Sequence, residues 1–302
     1  MMIRPHVRRE STCRDRGAHL YLFGMAPLAP TALDAHLSAA LAAAQAAGDL
    51  VLAFQKQGFF VKDKGPTDLV TEADLASEAL IRKELLERFP EDGFLGEEGG
   101  EVEGTSGLTW VVDPIDGTIN YSRGMAEYGV SIGLRAPDGD AELGVIRFPA
   151  LGRTYWAVRG GGAFCDGRQL QVSSTGRLDR FILHDSDLTR TEEPAAFLRS
   201  QLKAHGPLLE KVLRWRVSGA AVRDLCELAE GRIDAFVIDH HHEWDILAGW
   251  AIAREAGGAI IGQDGNPATC RSPGAVFYNG QCGEEIVAAL RSAKRTRTVK
   301  PR

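Results

Sequence analysis

The chain has 302 residues, 44% of them hydrophobic and 25% charged, which is the composition of an ordinary globular protein with a substantial core. Its formal net charge of −6 argues against broad nucleic-acid binding by the folded body. The five cysteines are scattered and lack Cys-x-x-Cys spacing, so reduced thiols in a cytoplasmic protein are predicted rather than a zinc–cysteine site. No stretch is expected to be long enough to cross a membrane.

Residues 1–30 are predicted to form a disordered extension. Residues 1–24 are rich in arginine and contain a short apolar run at 20–23, a pattern that signal peptides share. Because Gly24, Pro27 and Pro30 interrupt this run early, an extension is favoured over secretion, and Met25 is a candidate for the true initiator. At the other end, residues 294–302 are predicted to be a solvated basic tail.

Two helices are predicted next, over residues 31–57 and 71–88. The first is alanine-rich with apolar residues near helical spacing, and the second ends before Pro90. Residues 110–172 then alternate short strands with turns. The strands are predicted at 110–112, 128–134, 143–148 and 154–158, followed by a hairpin that turns at Asp166-Gly167.

The second half of the chain mixes both kinds of element. Strands are predicted at 181–184, 212–217, 233–238, 259–261 and 275–278, and helices at 193–204, 220–230, 245–256 and 284–293. Runs of strands flanked by pairs of helices predict a layered α/β architecture without the regular βαβ repeat of a doubly wound fold.

The most informative motif is the run at residues 110–121, where Asp113 and Asp116 follow an apolar strand. Carboxylates are ligands that Mg²⁺ prefers, usually together with a substrate phosphate. The carbonyl of Ile115 lies between them as a further hard ligand. Taken alone, an Asp-x-x-Asp-Gly motif is more often an ordinary strand-to-helix turn in which Asp is the N-cap.

A Gly-Thr pair follows the two aspartates and can open a helix. Gly117 allows the backbone to come close to a bound group. The amides of Gly117 and Thr118 would meet an anion favourably at the start of that helix. The motif therefore suits divalent cations and a phosphate together.

Three further segments accompany this motif: Glu97 and Glu98 before it, Glu243-Trp244-Asp245 near the other end, and residues 64–74 upstream. In this order the four segments resemble the inositol monophosphatase family, whose members are Mg²⁺-dependent, lithium-sensitive phosphatases of small phosphomonoesters. Residues 162–172 are similar to the hairpin in the middle of that family's chains. The resemblance covers about residues 33–290.

The resemblance implies an α+β fold, a layered αβαβα sandwich of the inositol monophosphatase and fructose-1,6-bisphosphatase type. It implies one phosphatase domain over residues 31–293, made of two packed subdomains at about 31–178 and 179–293, with the site between them. A cytoplasmic homodimer is expected.

The resemblance also implies two to three Mg²⁺ ions. One ion takes Glu97, Asp113 and the Ile115 carbonyl, and a second takes Asp113, Asp116 and Asp245, so that Asp113 bridges them. A third touches Glu97 through water. Four converging carboxylates would repel without such cations. Asp245 has an alternative role as the N-cap of the following helix, which is compatible with ligation.

Asp74 has two competing interpretations. Thr71 and Asp74 have the spacing of a capping box, which is a purely structural role. The resemblance instead pairs Asp74 with Thr118 to orient or deprotonate the attacking water, and this interpretation is favoured. Glu97 completes the predicted catalytic residues, and Glu98 is interpreted as a supporting residue. Lys64 is expected to screen phosphate charge, although Lys62 is a near neighbour.

The substrate is expected to meet the second half of the chain at residues 216–221, which match the family segment whose backbone contacts substrate hydroxyls. The alternative is a plain joint between a strand and a helix. The full predicted substrate-binding set is Lys64, Asp116, Gly117, Thr118, Ala221 and Asp239.

One departure from the family concerns the alcohol of the substrate. In members selective for inositol, an acidic residue seven positions before the second-half aspartate accepts hydrogen bonds from inositol. Here that position is Ile238, and Asp239 could substitute only if the loop shifted, since adjacent strand side chains face opposite ways. The adjoining residues 240–242 are three histidines, which are interpreted as a polar loop over the site because Mg²⁺ does not favour imidazole.

The predicted activity is hydrolysis of a small phosphorylated polyol or sugar, nominally inositol 1-phosphate. Fructose 1,6-bisphosphate, histidinol phosphate and nucleotide phosphates are alternatives for the same metal site. A different class of function is a non-catalytic regulator of transcription or ribosomal RNA synthesis, for which the basic tail is a weak indication. The intact set of metal ligands favours the enzyme.

Overall fold

The computed structural model describes residues 30–65, 68–185 and 194–295. Its helices are α1 (Pro30–Gln57), α2 (Glu72–Arg88), α3 (Thr118–Ser122), α4 (Pro194–Leu209), α5 (Ala221–Ala229), α6 (Glu243–Glu255) and α7 (Gly283–Arg295). Its strands up to the middle of the chain are β1 (Val61–Gly65), β2 (Asp68–Thr71), β3 (Gly93–Gly96), β4 (Gly100–Val102), β5 (Thr109–Asp116), β6 (Gly129–Arg135), β7 (Ala141–Phe148), β8 (Arg153–Val158), β9 (Gly162–Cys165) and β10 (Arg168–Gln169). The later strands are β11 (Ile182–Asp185), β12 (Arg214–Val217), β13 (Ala235–Asp239), β14 (Ala259–Gly262) and β15 (Gly274–Tyr278).

The strands β3 to β10 form one sheet of eight strands, in the order β10-β9-β8-β7-β6-β5-β3-β4. From β5 to β10 the chain forms an antiparallel meander, whereas β3 lies parallel to β5. The predicted hairpin is confirmed, because Cys165 pairs with Arg168 across a turn in which Asp166 and Gly167 both have positive φ, 48° and 81°. Such a turn matches the twist of the flanking strands.

The strands β11 to β15 form a second sheet of five strands, in the order β12-β11-β13-β15-β14. Its strands β12, β11 and β13 are mutually parallel, so their carboxyl ends meet at one edge of the sheet. The division between the two sheets falls between β10 and β11, near the subdomain boundary predicted from the sequence.

Helices cover the eight-stranded and the five-stranded sheet and separate them. Helices α1 and α2 bury Ala43 and Leu85 against Trp110 on the outer face of the eight-stranded sheet. Helices α5 and α6 lie between the sheets, where they share an apolar cluster with β5, β13 and β15. Helices α4 and α7 cover the outer face of the five-stranded sheet, where Leu208 and Leu290 are buried. The predicted layered αβαβα architecture is therefore confirmed.

Helix α1 corrects one sequence prediction. Its segment Leu33–Gln57 is long and apolar enough, by length and composition, to cross a membrane. The expectation that no stretch qualifies is therefore wrong on those two criteria. A core helix of a soluble protein passes the same test, and α1 places fully buried alanines such as Ala40 and Ala44 in the cluster under the eight-stranded sheet. Its apolar character serves packing in this fold.

Candidate functional site

The Asp pair lies at the end of β5, where the strand carries an irregularity. Asp113 is paired with Ser131 and Asp116 with Gly129, so three steps along β5 match two along β6. Residues three apart on a regular strand point to opposite faces, and one extra residue in a β-bulge removes that difference. Pro114, within the bulge, has no N–H to donate to the sheet. The bulge thus allows both carboxylates to face the same region.

The electrostatics of Asp113 show that the predicted acidic residues lie near enough to affect its pKa. Its carboxyl group is 2% exposed. Burial raises the pKa of Asp113 well above its usual range, and the carboxylates of Glu97, Asp116, Asp245 and Asp74 raise it further, in that order. These residues come from the end of β3, from β5, from α6 and from α2. A buried group of carboxylate oxygens suits hard divalent cations such as Mg²⁺.

Three of these carboxylates each accept a hydrogen bond from a backbone amide. Within residues 30–65, 68–185 and 194–295, no three acidic, histidine or cysteine side chains are gathered closely enough to hold a metal ion. Asp113 accepts from the Ile115 amide at 3.0 Å, Asp116 from the Val222 amide at 3.0 Å, and Asp245 from the His242 amide at 2.7 Å. Mutual repulsion favours this spread arrangement. The chemistry and burial of the donor set fit Mg²⁺, and ligation by each residue stays a prediction.

The Gly-Thr pair begins α3 immediately after β5. Gly117 has a φ of +84°, and a Cβ at this position would lie 3.0 Å from the Cβ of Ala220 and 3.0 Å from the carbonyl oxygen of Glu127. Both the backbone conformation and the space therefore require glycine. Helix α3 has five residues, so its dipole is weaker than that of a full-length helix. The Thr118 hydroxyl donates to the carbonyl oxygen of Ile115 at 3.0 Å, which directs it towards the site.

Asp74 satisfies both interpretations that the sequence left open. Its Oδ2 accepts from the Thr71 amide at 2.8 Å and from the Thr71 hydroxyl at 2.5 Å, which confirms the capping box. Its Oδ1 lies 3.5 Å from the Thr118 hydroxyl, and the Asp74 carboxylate is one of those that raise the pKa of Asp113. Burial raises the pKa of Asp74 to about 6. A carboxylate with this pKa is suited to accept a proton near neutral pH, and its catalytic role stays a prediction.

Sequence analysis did not identify Glu78, which holds the loop that carries Glu97. Its Oε2 accepts from the Glu98 amide at 2.8 Å and its Oε1 from the Gly99 amide at 2.6 Å. One signal was present in the sequence. Asp74, Glu78, Ile81 and Leu85 follow helical spacing and are all buried, so two carboxylates share the buried face of α2 with apolar residues.

The predicted substrate segment is a turn between β12 and α5, as its structural alternative proposed. Gly219 has a φ of +77°, and α5 begins at Ala221. The side-chain amide of Asn120 donates to the carbonyl oxygens of Glu127 and Ser218, at 2.7 and 3.1 Å. The segment is therefore tied to α3 and, through the Val222 amide, to Asp116. Contact between Ala221 and a substrate stays a prediction.

Asp245 is not the N-cap of its helix, which corrects the structural alternative. Helix α6 begins at Glu243, and His242 is its N-cap. Asp245 is the third residue of the helix, and its carboxylate accepts a hydrogen bond from the His242 amide. The three neighbouring histidines do not converge. The ring of His240 lies near Phe197, His241 Nδ1 lies 3.2 Å from the His242 carbonyl oxygen, and the ring of His242 stacks on Trp244 with centroids 4.5 Å apart. This arrangement is that of a polar loop.

The last two residues of β13 face opposite sides of the sheet, as their alternation predicts. Ile238 is 3% exposed and packs in the apolar cluster that includes Val111 and Leu247. Asp239 instead faces α4, where its carboxylate accepts hydrogen bonds from the side-chain amides of Gln201 and Gln263. A substrate would have to replace these donors in order to bind Asp239, and the binding role of Asp239 stays a prediction. The side chain of Lys64, in β1, lies outside the described residues, and its phosphate contact stays a prediction.

A buried histidine links Asp239 to the neighbouring strand. His205 of α4 has its Nδ1 2.8 Å from Asp185 Oδ2 and its Nε2 3.1 Å from Asp239 Oδ2. Burial acts to lower the pKa of His205, but hydrogen bonds to the two carboxylates outweigh it and raise the pKa to about 10. Burial likewise acts to raise the pKa of Asp239, and its hydrogen bonds, from His205 above all, lower it.

This triad predicts a pH dependence of stability. The pKa of His205 rises from 6.5 in the unfolded chain to about 10 in the folded protein, so its contribution is complete below pH 6.5 and is lost as the pH rises through about 10. At about 1.4 kcal/mol per pKa unit, the contribution is on the order of several kcal/mol. Urea unfolding followed by tryptophan fluorescence at pH 6.5 and 10 should show a larger loss of unfolding free energy for the wild type than for His205→Gln. Parallel losses would contradict a protonated His205.

Comparison with known proteins agrees with this geometry. A family model described as the inositol monophosphatase family matches residues 32–295. The chain is 35% identical over 268 residues to a histidinol-phosphatase of Chlorobaculum parvum. The matched region covers 86% of this chain and 98% of that protein. The chain is 36% identical over 220 residues to the Nus factor SuhB of Xylella fastidiosa, which covers 72% of this chain and 78% of that protein.

The fold is also similar to that of solved structures. The structure of the extragenic suppressor protein suhB from Bartonella henselae matches with a TM-score of 0.79 and 32% identity, over 85% of this chain and 98% of that one. The family model spans both sheets and every acidic residue that surrounds Asp113. The chain therefore belongs to the inositol monophosphatase family and is a phosphatase of that family.

Proposed function

We propose that this chain is an Mg²⁺-dependent phosphomonoesterase that acts on a small phosphorylated polyol or sugar, with inositol 1-phosphate as the nominal substrate. One observation carries the proposal. Four carboxylates from different elements surround Asp113 at the β5 bulge, directly before the Gly-Thr turn. A site with this charge needs cations, and cations at such a turn suit a phosphate group.

In this proposal Glu97, Asp113, Asp116, Asp245 and the Ile115 carbonyl hold two to three Mg²⁺ ions. When bound, the ions supply charge neutralisation of the phosphoryl oxygens and a lowered pKa for water. Asp113 would be shared between ions, a role supported by the influence of the four other carboxylates on its pKa.

The remaining residues orient water and phosphate. Asp74 Oδ1 and the Thr118 hydroxyl, 3.5 Å apart, would hold the attacking water between them, and Asp74 would take its proton. The hydrogen bond from the Thr118 hydroxyl to the Ile115 carbonyl fixes the side-chain torsion of Thr118. The amides of Gly117 and Thr118 would donate to a phosphoryl oxygen.

The first test is a phosphate-release panel with inositol 1-phosphate, histidinol phosphate, fructose 1,6-bisphosphate and a nucleoside monophosphate, each with and without Mg²⁺. The expected result is release that needs Mg²⁺ for every accepted substrate. Activity should also fall with Li⁺ in roughly the millimolar range, as the family resemblance implies. Full turnover in excess EDTA would refute the metal-dependent mechanism.

The same panel tests the choice of alcohol. An apolar Ile238 cannot accept hydrogen bonds from a substrate, and an unpaired hydroxyl against it costs about 1–3 kcal/mol. We therefore expect wild type to have a higher kcat/KM for another phosphomonoester than for inositol 1-phosphate. The similarity to a histidinol-phosphatase makes histidinol phosphate a leading candidate. A preference of wild type for inositol 1-phosphate by about tenfold, or about 1.4 kcal/mol, would show that this interpretation is wrong.

Ile238→Glu is the informative variant for substrate choice, but the structure adds a condition. Ile238 is buried among apolar side chains, so a carboxylate there costs stability. The variant should be compared with wild type as a ratio of kcat/KM between substrates, below its own unfolding temperature. The expected result is a shift of this ratio towards inositol 1-phosphate. The wild-type panel tests the interpretation even if the variant does not fold.

A regulatory function is the second candidate, because the chain is similar to a protein named Nus factor SuhB. In such a role the chain would bind transcription machinery or RNA without catalysis. Salt-dependent binding to RNA polymerase or RNA by a Glu97→Gln variant that lacks phosphatase activity would favour this function. Homodimerisation, which the resemblance implies, and a cytoplasmic location, which the scattered cysteines favour, belong to the main proposal. Light scattering of the purified protein tests the dimer.

A further inference from the structure

We propose that Glu78, on α2, is a positioning residue that fixes the loop bearing Glu97 for metal binding. The inference rests on the proposed function only in that Glu97 is taken as a metal ligand. Glu78 accepts hydrogen bonds from the loop between β3 and β4, and it would act on metal binding through that loop.

The loop is held from two sides. The Glu97 amide donates to the carbonyl oxygen of Val112 at 3.2 Å, which ties the residue to β5 one position before Asp113. The next two amides, of Glu98 and Gly99, both donate to the Glu78 carboxylate at 2.8 and 2.6 Å. Three consecutive amides are thus fixed, two of them by one charged group. Hydrogen bonds to a charged acceptor are stronger than those to a neutral one. The Glu78 carboxylate with its two bonds to the Glu98 and Gly99 amides, here called the clamp, therefore restricts the backbone next to Glu97.

The space around the clamp is reserved for the carboxylate. A Cβ on Gly96 would lie 2.5 Å from Oε2 of Glu78, and a Cβ on Gly99 would lie 2.6 Å from Oε1. Side chains at either position would therefore displace the Glu78 carboxylate. The two glycines lie on both sides of Glu97 and Glu98, and they allow α2 to approach the loop closely.

The clamp also joins two parts of the site. Glu78 lies one helical turn after Asp74 on α2, and both carboxylates are buried on the same face. Burial raises the pKa of Glu78, whereas the two amides stabilise its charged form. A buried carboxylate is a costly way to hold a surface turn. The cost is explained if α2 has two tasks: it carries Asp74, which is proposed to orient the water, and through Glu78 it positions the loop that bears Glu97.

The test uses Mn²⁺ as a spectroscopic substitute for Mg²⁺, with binding measured by electron paramagnetic resonance on the whole chain. In Glu78→Gln the side-chain oxygen can still accept a hydrogen bond from one of the two backbone N–H groups. The side-chain NH₂ group is itself a donor and cannot accept one from the other. The expected result is an Mn²⁺ affinity lower by about 10- to 100-fold, the usual loss for an outer-sphere residue. The Mg²⁺ concentration for half-maximal activity should rise likewise, while KM for the substrate at saturating Mg²⁺ changes little.

Two further variants separate positioning from a merely structural role. Glu84→Gln, an exposed substitution on the same helix, should leave Mn²⁺ binding unchanged. In the double variant Glu78→Gln/Glu97→Gln, the losses in Mn²⁺ affinity should not add, because Glu78 acts through Glu97. Should Glu78→Gln fail to fold, Gly99→Ala attacks the same contact from the loop side, and the same loss of affinity is expected.

The outcomes distinguish this inference from the proposed function. Unchanged Mn²⁺ affinity in Glu78→Gln or Gly99→Ala, additive losses in the double variant, or no Mn²⁺ binding by wild type would each overturn it. Wild type that binds Mn²⁺ and shows the non-additive losses, yet releases no phosphate from any substrate of the panel, would support the role of Glu78 and refute the proposed phosphatase activity.

Discussion

Asp113→Asn is expected to reduce kcat/KM by about 1,000-fold or more, which is several kcal/mol of transition-state stabilisation. The reason is its place at the centre of the acidic group. Its pKa is raised by the carboxylates of Glu97, Asp116, Asp245 and Asp74, and it is proposed to be shared between two ions. The substitution keeps the shape of the side chain and can keep the hydrogen bond from the Ile115 amide. The measurement is phosphate release at saturating Mg²⁺.

Stability separates lost ligation from lost folding in this variant. Without metal, a neutral Asn relieves repulsion among buried carboxylates, so Asp113→Asn should unfold at the same temperature as wild type or a higher one. Mg²⁺ should raise the melting temperature of wild type, because a ligand at 100 times its Kd adds about 2.7 kcal/mol of stability, and should raise that of the variant much less. Asp179→Asn, which changes an exposed carboxylate, serves as the charge control. Lys64→Ala should lose less activity than Asp113→Asn, and equal, mild losses in both would contradict the bridging role.

Much of the fold could be predicted because its signals are local. The helical spacing in α1 and α2, the strand alternation between β5 and β8, and the turn residues Asp166 and Gly167 each act over a few residues. The strands β3 and β4 were not predicted, since they have four and three residues and include glycine at their ends. Their pairing with β5 and with each other depends on tertiary contacts that a short window does not contain.

The site shows the same division between local and distant information. The order of the acidic motifs predicted which carboxylates meet, and the structure brings Asp74, Glu97, Asp116 and Asp245 around Asp113. The β-bulge that aligns the Asp pair could not be predicted, because it is defined by the register of β5 against β6. The partners of Asp239 were also missed, since His205 and Gln201 reach it from a helix whose direction the sequence does not give. Helical spacing placed Glu78 on the face of Asp74, but its partners in the loop after β3 are tertiary contacts that the sequence does not give.

Asp74→Asn is expected to lower kcat by about 100- to 10,000-fold, the usual contribution of a general base. The two oxygens of Asp74 have separate partners, Thr71 on Oδ2 and Thr118 on Oδ1. A matched pair of variants can therefore separate capping from catalysis. Thr71→Ala removes the cap hydroxyl, which costs about 1 kcal/mol of stability, and leaves the side facing Thr118 in place. Its activity should stay within a few-fold of wild type.

Thr118→Val completes this comparison, since it removes the hydroxyl that faces Asp74 and leaves the capping box intact. If Asp74 and Thr118 hold one water between them, Thr118→Val should lose much of the activity that Asp74→Asn loses, and the double variant should lose little more than Asp74→Asn alone. Thermal melting of each variant provides the stability control. Losses of activity that follow stability, with Thr71→Ala as impaired as Asp74→Asn, would mean that Asp74 only caps α2. Losses confined to Asp74→Asn and Thr118→Val, with Thr71→Ala still active, would require the carboxylate and the Thr118 hydroxyl to act on the reacting water, because the contact between Oδ1 and that hydroxyl takes no part in capping.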